Sequence, residues 1–354
     1  MAEIGSLQND KVQKERVNEI SVSTTGEESS TRKRSRGILG KYAIVIAWLA
    51  EIAIFALVDR SSFFSLTNFK EIASSQADLA ILSLSVVPTL AVGEIDLSVA
   101  SVMALSATIF GEMNGIGKDS IWLSLLVALA ASVATGLVSG IITVMLRVKG
   151  IVVTLGMGTL VLGIALEVSH SLTVTGISSA FQGAMNRPLG GISYTFYYAL
   201  IITVILWYVF RHTPAGRHML FLGFNREVAR LSGIEVSRLR VVSFLIGSFI
   251  AGLAGIIAIG VAGGADPSSF QPELLPAFAA VFLGSLILTP GRINAFGTLI
   301  ALYFLATGIV GIQLLGAGSW IDDAFYGAAL VVTVALSGLA EILGLRVRRE
   351  VKAR

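Results

Sequence analysis

The sequence predicts an all-α polytopic membrane bundle of about ten transmembrane helices with both termini cytoplasmic, and three observations predict it. Hydrophobic residues make up 54% of the 354 and charged residues 14%, with a mean hydropathy of +0.81; that apolar load exceeds what a soluble domain of this length uses. Ten apolar runs can be delimited, at 41–58, 75–93, 97–113, 121–146, 151–171, 194–210, 241–261, 275–288, 297–315 and 322–343. Each is near the roughly 20 residues that a helix needs to cross the hydrocarbon. Finally, the basic residues segregate. With the N-terminus inside, Arg60, Lys70, Lys118 and Arg187 are the outside ones and the remaining 22 of the 26 Lys and Arg lie inside, as the positive-inside rule requires.

Residues 1–40 have no short apolar core of a cleavable leader and are rich in Ser, Thr, Glu and Lys, so they read as a disordered cytoplasmic tail. The tail ends in Arg32-Lys33-Arg34-Ser35-Arg36 beside the first run, where a basic cluster holds the tail inside rather than binding nucleic acid. The membrane domain covers 41–343, interrupted by a polar segment at 211–240, and a basic cytoplasmic tail follows at 344–354. Many of the 37 glycines lie inside runs, as Gly247, Gly252, Gly255 and Gly260 do, where small residues let helices pack closely in lipid. Gly158-Thr159-Leu160-Val161 and Gly297-Thr298-Leu299-Ile300 look alike, but no consistent internal repeat follows from them.

Catalytic signals are missing. Gly37-Ile38-Leu39-Gly40-Lys41 runs into Tyr42 without nucleotide-binding spacing; His170, His212 and His218 have no metal-ligand spacing; and no nucleophile elbow is seen. No cofactor, metal or catalytic residue is therefore assigned, and the absence of cysteine rules out disulfides. If the chain moves a solute uphill, an ion gradient or a partner must drive it. Intramembrane groups that an ion-coupled carrier would use are Glu51, Glu94, Asp96 and Glu167 with His170; Glu51, near mid-depth, is either paired within the bundle, the favoured reading, or functional.

Two stretches carry the rest. In Gly93-Glu94-Ile95-Asp96-Leu97-Ser98, Asp96 can cap the third span, and Ser98 and Ser101 then share a helix face. That face is either interhelical glue or, with Glu94 and Thr154, a polar wall for a hydroxyl-rich solute. Within 211–240, Asn225 suits a helix N-cap and Gly233 the left-handed residue past the helix end, enclosing seven residues. A helix this short is marginal alone and needs a surface to dock on, lipid or protein. Arg226 and Arg230 lie four apart, a like-charge pair that acidic groups of a partner would relieve.

The first stretch resembles the Gly-Gly-Ile-Asp-Leu-Ser-Val-Gly-Ser element of ribose-type permeases, the membrane subunits of sugar ABC importers. The second is similar to their cytoplasmic segment at Gly216, Arg217, Gly223, Asn225, Ala229, Gly233 and Ile234, and Glu227-Val228-Ala229 with Gly233 resembles the coupling signature of such permeases. Gly150 to Gly156 and Glu273 to Gly284 look like two further family stretches, so the likeness covers roughly 60–340. Glu94 and Phe224 stand where the family has glycine, and Thr289-Pro290-Gly291-Arg292 replaces a glycine-rich turn.

The resemblance implies a permease subunit importing a monosaccharide or related polyol across a bacterial cell membrane, the inner membrane where there are two. It implies a coupling loop at Gly216, Arg217, Asn225, Arg226, Glu227, Ala229, Arg230 and Gly233, and substrate-pathway candidates at Glu94, Asp96, Ser98, Ser101 and Thr154. Implied partners are ABC ATPase subunits, an extracytoplasmic solute-binding protein docking on Thr173 to Ser193 and Ala262 to Leu274, a second permease copy (identical or not) and the lipid bilayer, with no nucleic acid. An ion-coupled secondary carrier is the alternative.

Overall fold

Side-chain caps decide where the helices begin. The computed structural model describes residues 42–60, 62–289 and 291–352, with backbone alone for 337 and 339–352. The tail at 1–40, read above as disordered, and Pro290 lie outside the described residues. The helices are α1 (Tyr42–Val58), α2 (Leu66–Ser75), α3 (Ala77–Ala91), α4 (Val99–Gly111), α5 (Ile121–Met145), α6 (Gly150–Val168) and α7 (Ser179–Met185), followed by α8 (Tyr194–His212), α9 (Pro214–Phe224), α10 (Arg226–Leu231), α11 (Val236–Ala262), α12 (Leu274–Gly284), α13 (Ala295–Leu314) and α14 (Trp320–Lys352). Ser65, Ser120, Thr213 and Asn294 each accept from the backbone N–H three residues on, at Asn68, Leu123, Gly216 and Gly297. These side chains replace partners that the first turn of a helix lacks.

Among the described residues six helices are long and apolar enough to cross a membrane, or seven if α2 and α3, bent by 45°, form one span. The chain is thus an all-α, multi-pass membrane protein. The ten apolar runs do all carry helix, but four of these helices are not among the six, α14 of the tenth run being one. The second run is the inner limb of the bent pair; α1 falls short of the span length; and α12 has only 11 residues, preceded by a 3-10 segment at Pro267–Glu273. An unwound stretch likewise separates α3 from α4, and α4 ends in a π-helical turn at Glu112–Ile116. α14 continues to Lys352, over most of the stretch assigned to a basic tail.

Helix α11 forms the centre, packed on α3, α4 and α5. A Cβ on Gly255 would lie 2.1 Å from the Met103 carbonyl oxygen, and one on Gly247 2.8 Å from that of Ser85. Glycine is thus a steric requirement at these crossings, where close backbone approach replaces the hydrophobic driving force that lipid removes. Buried hydroxyls are mostly spent on their own helices: Ser83 donates to Leu79 O, Thr108 to Ala104 O and Ser132 to Ala128 O. At the end of the bundle away from α9 and α10, strands β1 (Val174–Thr175) and β4 (Gly264–Ala265) pair antiparallel, joining two loops distant in sequence. Between them in sequence, β2 (Pro188–Leu189) and β3 (Ile192–Ser193) make a small hairpin.

α1 lies against α13. Trp48 Nε1 donates to Thr307 Oγ1 at 3.0 Å, Phe55 covers Gly311, and Glu51 is directed at Gly308. Of the two readings of Glu51, pairing within the bundle finds no support at Oε2, which is buried without a hydrogen-bond partner among the described residues.

Substituting Gly255→Ala should cost about 1–3 kcal/mol, because the methyl meets backbone that cannot move aside alone. Gly156, with open space around its Cα, is the control. Thermal unfolding in detergent should show a lowered midpoint for Gly255→Ala and none for Gly156→Ala; equal midpoints would contradict the α4–α11 packing.

Candidate functional site

The segment between α3 and α4 is where the two sequence motifs meet. Gly93, at φ 77°, occupies the left-handed region that turns the chain off the end of α3. Glu94 follows, its side chain 6% exposed, and one oxygen receives two guanidiniums: Arg226 at 2.5 Å and Arg240 Nε at 2.8 Å. Arg226 is the first residue of α10, and Arg240 lies in the second turn of α11. The other oxygen, Oε2, stands 2.6 Å from where a Cβ on Gly150 would be, at the N-terminus of α6. The positive end of a helix favours a carboxylate there. One buried side chain therefore fastens α10, α11 and the start of α6 to the α3–α4 connection.

This alters the reading of the short helix. Asn225 caps it as expected, Oδ1 accepting from Glu227 N and Val228 N at 3.1 Å each, and Gly233 is left-handed at φ 79°. The helix itself is six residues rather than seven, since Ser232 leaves helical geometry. Arg226 and Arg230 do not wait for a partner's acids: Arg226 pairs with Glu94, and Arg230 with Glu227 on its own helix. The Glu227 hydrogen bond raises the Arg230 pKa. Arg230 finds its acid three residues away on the same helix, whereas that of Arg226 is 132 residues away in sequence.

The rest of the polar loop is also helical. Thr213 and Pro214 start α9, with proline at a first-turn position that needs no N–H donor. Gly216 passes so close to α8 that a Cβ would lie 2.1 Å from Val209 O, and Gly223 meets Ala91 O in the same way at 2.3 Å. Gly216 and Gly223 thus hold α9 against α8 and the end of α3. Ala229 is buried under α10, while Glu227 and Arg230 face outward. Arg217 projects from α9 toward Arg211 and Arg292 around a separate cavity. Phe224 remains exposed and lies beneath the Arg292 guanidinium, 5.0 Å from the ring centre.

Beyond Glu94 the chain climbs into the bundle as an extended strap. Leu97 N donates to Thr154 Oγ1 at 3.0 Å, and that hydroxyl donates to Ile95 O at 3.3 Å. Asp96 acts as an Asx turn before α4 rather than at its cap position: Oδ1 accepts from Ser98 N at 2.9 Å and from Ser98 Oγ at 2.6 Å. Asp96 Oδ2 is buried without a partner among the described residues. Ser101 Oγ accepts from Gln271 Nε2 at 3.1 Å, so the strap meets the 3-10 segment before α12. Asp96, Ser98, Ser101 and Thr154 are all buried; Asp96 bonds Ser98, Thr154 bonds the backbone of Ile95 and Leu97, and Ser101 bonds Gln271, whereas Glu94 belongs to the ionic cluster below them. A cavity of about 730 Å³ opens beneath, walled by Glu94, Arg147, Lys149, Arg226 and Arg240 among others.

Sequence reasoning missed Arg240, Gly150 and Gln271. In sequence Arg240 is one of the basic residues that fix orientation, and Gln271 lies in the short 3-10 segment Pro267–Glu273, which has no apolar periodicity. No local signal distinguishes either.

Residues 68–334 match the family described as branched-chain amino acid transport system / permease component. The ribose import permease protein RbsC of Escherichia coli K12 is 30% identical over 316 residues, covering 88% of this chain and 98% of that protein. The D-allose transport system permease protein AlsC of the same organism is 25% identical over 299 residues, covering 84% and 92%. The fructose import permease protein FrcC of Rhizobium meliloti is 25% identical over 300 residues, covering 82% and 83%.

The cluster predicts an asymmetry between the two arginines. Glu94→Ala strands Arg240, whose side chain is 11% exposed, and should cost about 3 kcal/mol. Arg226→Ala leaves Glu94 paired with Arg240 and removes only a guanidinium that is 48% exposed, so it should cost less than about 1 kcal/mol. Gly150→Ala should destabilise in the same direction as Glu94→Ala, by displacing the carboxylate. Thermal unfolding in detergent orders the three; an Arg226→Ala loss as large as that of Glu94→Ala would refute the arrangement.

Proposed function

Since this chain belongs to the permease-component family of branched-chain amino acid type transport systems, we propose that it is the membrane subunit of an ABC importer that passes a monosaccharide or related polyol into the cell. It is a transport component rather than an enzyme. The full-length likeness to ribose, allose and fructose permeases supports the sugar class over amino acids. The observation that carries the mechanism is the Glu94 cluster, which joins the short displayed helix α10 to the strap holding the buried polar residues.

In this reading ten spans cross the inner membrane of a bacterium, with both termini and the α9–α10 end in the cytoplasm, as the basic residues favour. α10 seats on an ATPase subunit through its outward Glu227 and Arg230, while Asn225 and Gly233 set its ends, buried Ala229 seats it on the bundle, and Gly216 and Arg217 position α9 behind it. When the ATPases close on ATP, α10 moves with them. Arg226 and Arg240 share a carboxylate that begins the 94–98 segment, so displacement of α10 pulls on the strap directly. Asp96, Ser98, Ser101 and Thr154 hold that strap by hydrogen bonds that a hydroxyl-rich solute can replace one for one. Broken helices of this kind line solute sites in other transporters, because irregular backbone is tolerated only where protein or solute satisfies it. The tied loops around Val174 and Ala265 make a firm platform for a binding protein delivering the solute. A second permease copy completes the translocation unit.

Uptake of radiolabelled ribose, allose and fructose into proteoliposomes containing the permease, its ATPase and its binding protein tests this. Uptake should require ATP inside and the binding protein outside, and survive an ionophore; uptake driven by an ion gradient without ATP would establish the carrier alternative. Two variants divide the roles. Gly233→Pro should abolish ATPase co-purification while the protein still inserts. Asp96→Ala should reduce uptake at least about tenfold, the scale of one lost buried polar contact, while the ATPase remains bound; loss of folded protein would instead make Asp96 purely structural.

A further inference from the structure

A second cavity, of about 410 Å³, opens beside the first turn of α13 and the last turn of α8 and is lined by Arg211, Arg217 and Arg292 together with Trp207, Phe210 and Phe296. No carboxylate lines it, and none of the three guanidiniums forms an ion pair among the described residues. Its walls are set before any ligand arrives. Asn294 Nδ2 donates to Gly284 O, Ile287 O and Arg292 O, fixing the loop that carries Arg292, and Trp207 packs edge-on against Phe296 with ring centres 5.9 Å apart.

The depth of this cavity follows from the helices that form it. α8 and α13 are both candidate spans, and the cavity lies where one ends and the other begins. That level is the membrane interface, where tryptophan is favoured and clustered arginines meet lipid phosphates. The surface leading to it is apolar: Ile201, Val204, Ile205 and Tyr208 are exposed along one face of α8, ending beside Trp207. We propose that this cavity binds the headgroup of an anionic phospholipid, its phosphate between Arg211, Arg217 and Arg292 and its acyl chains along the exposed face of α8. An acidic protein surface would satisfy the arginines equally well but leave the apolar approach unused, and the continuity of that face with the cavity selects lipid. The inference rests on α8 and α13 crossing a bilayer and not on which solute is carried, so its failure would leave the transport reading standing.

The full-length permease, purified from membranes and placed in nanodiscs of equal phosphatidylglycerol and phosphatidylcholine, provides the test, with retained lipid counted by native mass spectrometry. The wild-type chain should retain phosphatidylglycerol in preference to phosphatidylcholine. Arg211→Gln, Arg217→Gln and Arg292→Gln should each lower that preference about fivefold, whereas Arg238→Gln, on an exposed residue already paired with Glu235, should leave it unchanged. Each single variant removes one exposed charge, so folding is checked by elution as a single species alongside Arg238→Gln. Equal retention of the two lipids, or a preference that survives all three substitutions, would overturn the proposal. So would loss of ATPase co-purification from the arginine variants with phosphatidylglycerol retention intact, which would assign the cavity to a protein.

Discussion

One buried carboxylate governs how the two halves of this site relate. Glu94 would be expensive to bury alone, and its cost is offset only because Arg226, Arg240 and the N-terminus of α6 all reach it. That requirement fixes geometry. α10 cannot rotate freely, α11 must begin where Arg240 meets the carboxylate, and residue 150 must be glycine for Oε2 to approach. The helix too short to persist by itself is therefore held by its own chain before any partner binds.

The bilayer imposes the second constraint. Backbone that is neither helix nor closed sheet must find its partners inside the protein. Two such stretches occur here, the strap at 92–98 and the 3-10 segment at Pro267–Glu273. Thr154 serves the first through both its donor and its acceptor, Asp96 serves the start of α4, and Gln271 joins the second stretch to Ser101. The polar residues that interrupt an apolar sequence are those that let the chain be irregular at depth. Their burial and their suitability for a hydroxylated solute have one origin: each presents hydrogen-bonding capacity where water is scarce.

The departures from the family pattern acquire partners in three dimensions. Glu94, in place of glycine, meets two arginines, and Phe224, in place of another, lies under Arg292 from the loop that is itself divergent. Guanidinium over an aromatic face is favourable on its own terms. These pairs link α9 and α10 to the α3–α4 and α12–α13 connections.

The sequence by itself determined the class, because span length and apolar content are set by bilayer thickness and can be counted along the chain. It also determined the cap of α10 at Asn225 and its stop at Gly233, since capping acts over a few residues. Tertiary structure decided the rest. Whether an apolar run crosses the membrane or breaks, as at α12, depends on neighbours that satisfy the exposed backbone. Whether Arg226 needs a partner depends on Glu94, far away in sequence. Whether Glu51 is paired depends on how α1 lies on α13. Local rules read hydrogen bonds and charges between residues a turn apart, while a buried ion pair is formed by whichever elements packing brings together, and no pattern in either stretch announces the other.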